Sequence, residues 1–132
     1  MQLEIHEVFT ALGRANKHDE KAKVLLDNDS LALRTLMRLN FDPRIKLNVS
    51  NIVEYEERTD GNATIHEATK NYPRLTSLKI SRDNADNQFK DILESLDPRE
   101  AKILNAAKNK NLKMRGLSRK IAIEVWGNRI FN

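Results

Sequence analysis

Residues 97–127 read DPREAKILNAAKNKNLKMRGLSRKIAIEVWG, and this stretch decides the fold. Asp97 is placed to cap a helix, Pro98 suits its first position, and Glu100 falls three residues after the cap. Ala101, Ile103, Leu104 and Ala107 then repeat at helical spacing until Asn109-Lys110-Asn111 interrupts them. After a turn, Ser118 caps a last helix with Ile121, Ala122, Val125 and Trp126 on its inner side, stopped by Gly127-Asn128. Two helices joined by a basic, glycine-containing turn predict an all-α chain.

The same periodicity runs outward toward the N-terminus. Leu3, Ile5, Val8, Phe9 and Leu12 predict a first helix stopped at Gly13. Asp19 caps a short second one carrying Ala22, Leu25 and Leu26. Asp29-Ser30 caps a third with Leu31, Leu33, Leu36, Met37 and Leu39 inside, closed by Phe41-Asp42-Pro43. Leu75, Leu78 and Ile80 form an apolar patch after Tyr72-Pro73. A helix from Asp83 or Asn84 carries Phe89, Ile92, Leu93 and Leu96. Residues 48–64 are rich in Asn, Ser, Thr and Gly, and predict a long, partly mobile loop. Ile52-Val53-Glu54-Tyr55 is compatible with one short strand. The expected architecture is a single compact helical domain over residues 1–132. Its long irregular loop lies at about 48–72, and residues 97–127 form a basic, helix-turn-helix-like segment.

Charge is unevenly spread. Residues 1–100 hold 15 basic and 18 acidic side chains, whereas residues 101–132 hold 8 basic and 1 acidic. Such asymmetry points to a polyanionic partner. The chain has no Cys, so it has no disulfide, thiolate metal site or cysteine nucleophile. No apolar stretch reaches membrane-spanning length, and Met1-Gln2-Leu3-Glu4 lacks the basic start of a signal peptide. A reducing cytoplasm, that of a bacterium or its phage-infected counterpart, is the expected compartment.

Catalytic signatures were sought at three places. His6-Glu7 and His66-Glu67 are followed by Thr10 and Lys70 where a zinc-hydrolase helix needs a second His. Arg58-Thr59-Asp60-Gly61 places Arg where nucleotidyltransferases carry their lysine nucleophile, and a guanidinium is a very poor nucleophile. It therefore reads as a plain turn. No nucleophile elbow or phosphate-cradling glycine loop occurs. The chain is expected to be no enzyme, with no metal and no cofactor.

The basic segment carries the remaining signal. Lys108, Lys110, Lys113, Arg115, Arg119 and Lys120 surround one turn, with Gly116 just ahead of the helix capped by Ser118. Helix N-terminal amides, a residue without Cβ and flanking cations suit a phosphate. Such contacts bind DNA without reading its sequence. A solvated charged helix pair, or a patch for an acidic protein, fits the same residues.

Gly116-x-Ser118-x-x-Ile121-Ala122-x-x-Val125-Trp126 resembles the end of the N-terminal helical DNA-binding domain of ATP-dependent DNA ligases, especially the T-even phage type. The Ile5–Leu12 helix, the Lys17–Lys23 turn and the Leu33–Leu39 helix are similar as well, while residues 48–72 are unmatched. Small proteins of T-even-like phages, including cyanophages, look closer still. They share features like Asn28-Asp29-Ser30-x-Ala32-Leu33-Arg34, Phe41-Asp42-Pro43 and the turn at Arg115–Ser118. The resemblance implies binding of double-stranded DNA through its backbone, without end joining. Arg115, Gly116, Ser118, Arg119 and Lys120 match the phosphate-contacting loop, Arg44 and Lys46 are expected on the same surface, and Trp126 matches a buried anchor. The implied role is phage DNA replication, repair or transcription in the cytoplasm of an infected bacterial host. The alternatives are a module that binds phage replication or host transcription proteins, and a virion component.

Overall fold

A computed structural model describes residues 2–114 and 117–131. Among them are seven α-helices: α1 (Ile5–Arg14), α2 (His18–Asp27), α3 (Leu31–Phe41), α4 (Ile65–Ala68), α5 (Arg82–Ser95), α6 (Pro98–Lys108) and α7 (Arg119–Trp126). Short 3-10 turns occupy Tyr72–Thr76 and Asn128–Phe131. The chain is all-α, and no described helix is long and apolar enough to cross a membrane.

Local signals place most helix ends. Ser30, Ser81 and Ser118 each accept a hydrogen bond from the backbone N–H three residues on, at the starts of α3, α5 and α7. Glu4 and Glu7 form a reciprocal capping box on α1. Asp97 caps α6 by accepting from the Arg99 N–H, with Pro98 in the first turn. Three boundaries differ from expectation: α5 begins at Arg82, capped by Ser81, ahead of the expected Asp83 or Asn84, and the other two lie in α1 and α2. Gly13 sits inside α1, which runs on to Arg14, and α2 starts after Lys17 without a side-chain cap. Asp19 instead lies in the first turn of α2, where a carboxylate suits the helix dipole.

The core is built around α6, which packs on α1, α3, α4 and α5, while α2 joins α1 to α7. Leu33, Leu36, Phe89, Leu93, Leu104 and Ala107 are fully buried within it. Burying a Leu or Phe side chain contributes about 1.5–3 kcal/mol. Two residues expected on inner helix sides are exposed instead, Leu26 at 58% and Leu31 at 71%, as is Leu78 of the apolar patch at 87%. Leu31 is the first residue of α3, ahead of the turn that meets the core.

Helix α6 also carries an acid that ties the N-terminal half together. Glu100 is only 1% exposed. One of its oxygens accepts the backbone N–H of His6 at 2.7 Å and lies 3.1 Å from His6 Nδ1; the other accepts the Ile65 N–H at 3.2 Å. A single carboxylate thus satisfies the first turns of α1 and α4, and it completes no capping box of its own.

The expected mobile loop is a belt tied to the helices behind it. Leu47 and Val49 are buried. Asn48 N–H donates to the Leu75 carbonyl, and Asn48 Nδ2 to that of Ile80. Ser50 gives both its N–H and its hydroxyl to the Asp86 carboxylate, at 2.7 and 2.6 Å. Glu56 N–H donates to Glu94, and Ala63 bridges Leu96. Residues 52–55 form no strand; no neighbouring chain offers them a ladder. The stretch to 72 also contains α4, so it is not one loop.

Candidate nucleic-acid interface

Helix α3 ends at Phe41 because Pro43 follows, and its last carbonyls are left without intrahelical donors. The basic segment supplies those donors. Lys110 Nζ donates to the carbonyls of Leu39, Asp42 and Ile45 at 2.6–2.7 Å. Arg119 Nη1 donates to Phe41 O at 2.8 Å, and its guanidinium stacks 4.5 Å over the Phe131 ring. Cations at a helix C-terminus also meet the negative end of its dipole. Asn40 and Leu112 exchange two hydrogen bonds in the interior, fixing the 109–114 segment against α3.

Lys110 reaches its three carbonyls from an unusual backbone. After α6, Lys110 N–H donates to Ala107 O and Asn111 N–H to Ala106 O, with Lys110 at φ 57°. This is a Schellman turn whose left-handed position, usually glycine, holds a lysine.

Lys108 is more deeply placed, at 6% exposed. Its ammonium donates to Ser50 O and Asn51 O at 2.7 and 2.9 Å and lies 5.7 Å from the Phe89 ring centroid. Burial lowers its pKa, with Asp86 partly opposing the shift. Burial likewise lowers that of Lys110, Asp42 opposing and Lys46 adding to the effect. Burial pushes the Asp42 carboxyl up, but the backbone and guanidinium of Arg44, with Arg119 nearby, hold it below its usual range.

The candidate set therefore divides. Lys108 ties the belt to α6 through two of its ammonium protons. Lys110 and Arg119 cap α3, Lys110 with all three ammonium protons and Arg119 with one guanidinium N–H. Ser118 directs its hydroxyl oxygen to Ile121 N–H as a helix cap. Lys46, Lys113 and Lys120 are exposed, with no hydrogen-bond or ion-pair partner among the described residues. Arg44 forms a forked pair with Asp42 while its side chain stays 64% exposed. Arg115 and Gly116 lie outside the described residues. Trp126 is half-buried, its Nε1 donating to Asp29 at 3.0 Å, so it anchors α7 to the turn before α3.

These ties bring two basic stretches of the chain together. Residues 38–51 and 108–122 carry nine basic side chains and one acid, Asp42. The remainder of the chain carries 14 basic and 18 acidic side chains. The sequence of these two stretches is therefore strongly basic, and that of the remaining chain is acidic.

No family model, curated protein or solved structure matches the chain.

The likeness to the ligase domain thus rests on the residues quoted from the sequence. The other motifs have plain structural partners. Arg58 pairs with Glu94 at 3.5 Å, and Gly61 N–H closes a turn onto Arg58 O. A Cβ on Gly61 would sit 2.4 Å from the Leu96 carbonyl oxygen, so the close approach of two backbones requires glycine there. His66 Nε2 lies 2.9 Å from Leu3 O, and among the described residues no three His, Asp or Glu side chains gather to hold a metal. Sequence reasoning missed Glu100 as a link between helices and Asp86 as the belt's anchor. Neither has a local signature, because their partners lie 35 or more residues away.

Proposed function

We propose that this chain is a non-catalytic protein that binds double-stranded DNA through its phosphate backbone. Its setting would be phage replication, repair or transcription in the cytoplasm of an infected bacterial host. The observation that carries the reading is the convergence of residues 38–46, 109–114 and 117–120 around the C-terminus of α3. Lys46, Lys113 and Lys120, with Arg44, are the exposed cations of that surface. The phage setting and the duplex as partner draw on the resemblance to the ligase domain.

Four phosphate contacts would give a slope of about −3.6 in log affinity against log salt, with non-specific dissociation constants near ~1–100 μM. Fluorescence anisotropy on a short mixed-sequence duplex tests this. Charge reversal at Lys113 or Lys120 should weaken binding and flatten the slope, while reversal at Lys21 or Lys23 leaves both unchanged. Absence of duplex binding at low salt would overturn the proposal.

A second reading, a module docking a phage replication or host protein, is favoured by Leu26 and Leu31, exposed on either side of the α2–α3 turn. A nuclease-resistant partner captured from infected cells, and lost from a Leu26→Ser, Leu31→Ser variant, would support it.

A further inference from the structure

Beside the basic surface, the belt and the C-terminal end of α6 enclose a cleft of about 580 Å³. That volume suits a small-molecule ligand and exceeds what a bare phosphate needs. Three lysines line it, Lys46, Lys108 and Lys110, and no carboxylate does. The nearest acids are already engaged: Asp86 with the N–H and hydroxyl of Ser50, Asp42 with Arg44.

The three ammonium groups are not equivalent. Lys110 has given all three of its protons to carbonyls and contributes only charge. Lys108 has given two and keeps one with no partner among the described residues. Lys46 is exposed and has none of its protons engaged among them. The two carbonyls that receive Lys108 hold its ammonium in place as a hydrogen-bond donor. The amides of Asn51 and Asn109 add further donors, and Leu47 and Val49 supply an apolar wall.

A dianion with several acceptor oxygens complements this set better than a singly charged diester. A phosphomonoester carries about −1.5 to −2 at neutral pH and three acceptor oxygens. The apolar wall and the volume left over suit a sugar and a base. We propose that the cleft binds a nucleotide by its phosphomonoester group, the chemistry shared by a 5′-phosphorylated DNA terminus and a free nucleoside monophosphate. The DNA terminus as source rests on the duplex-binding reading; the free nucleotide does not.

The test titrates the full chain with inorganic phosphate, dAMP and deoxyadenosine, reading backbone amide resonances, and compares 5′-phosphorylated with 5′-hydroxyl duplex by anisotropy. dAMP should shift Lys46, Asn51 and Asn109, and deoxyadenosine should not. Lys46→Ala should weaken dAMP about tenfold, the worth of one charge-assisted hydrogen bond. Lys108→Met should abolish the response; because its loss also frees the belt, the exposed Lys46 variant carries the test. A 5′-phosphate preference that vanishes in Lys46→Ala, while Lys120→Glu weakens both duplexes alike, identifies the DNA terminus. A dAMP response without any duplex binding supports the cleft and refutes the duplex reading. Duplex binding blind to the 5′-phosphate, with no dAMP response, refutes the cleft alone. A response to inorganic phosphate but not to dAMP reduces the site to a bare anion site and overturns the nucleotide assignment.

Discussion

Replacing Lys110 by alanine removes a side chain that, beside Asn40, joins the end of α3 to the turn after α6. The ammonium makes three hydrogen bonds, to Leu39, Asp42 and Ile45. Each charge-assisted bond has a net worth of about 1.5–3 kcal/mol when buried. Water reaches this site and can replace part of each, so about 2–3 kcal/mol is expected for all three together. The backbone separates this effect from a second one. Lys110 holds φ 57°, which costs an L-residue about 1 kcal/mol that glycine avoids. Lys110→Gly should therefore be about 1 kcal/mol more stable than Lys110→Ala, yet still less stable than the parent. Urea unfolding followed by far-UV circular dichroism measures both, as a shift in midpoint at unchanged slope. Lys113→Ala serves as control and should stay within about 0.5 kcal/mol of the parent. Parental stability in Lys110→Ala, or a glycine variant weaker than the alanine one, would show that Lys110 does not hold α3 in this way.

Glu100→Gln places an amide NH2 against one of the backbone N–H donors of His6 or Ile65. It should destabilise by about 2–4 kcal/mol, and an unchanged thermal midpoint would contradict the linking role. Asp97 is held at about 2 by the side-chain and then the backbone hydrogen bond from Arg99, below its ordinary 3.8. A depressed carboxylate contributes stability that is complete above its unfolded value and fades as pH falls toward 2. Asp97→Asn should therefore flatten the stability profile over that window, and parallel profiles in acid urea titrations would count against it. Gly61→Ala forces a methyl toward the Leu96 oxygen and should cost about 1–3 kcal/mol by the same unfolding assay.

Local chemistry made several features legible in advance. Ser30, Ser118 and Asp97-Pro98 act within three residues of themselves, so the chain announces those helix starts directly. Phe41-Asp42-Pro43 likewise marks the end of α3. The sign of the basic segment was equally plain. Its direction was not, because the partners of Lys108, Lys110 and Arg119 are main-chain carbonyls, which every residue possesses. Periodicity identified the faces of α2 and α3 but not how far the core reaches around them, hence the exposed Leu26 and Leu31. The belt is held by Asp86 and Lys108, 36 and 58 residues beyond Ser50, so its own polar composition could only suggest a loop.

The basic segment is divided: Lys108, Lys110 and Arg119 reach main-chain carbonyls of α3 and the belt, while Lys46, Lys113 and Lys120 face solvent, where the proposal has them meet a polyanion. Backbone amide shift mapping during titration with a DNA duplex at low salt tests it most directly. Perturbations are expected at Arg44–Lys46, Lys113 and Ser118–Lys120, vanishing together as salt rises. Perturbations centred on the Lys17–Lys23 turn, or none at all, would contradict it.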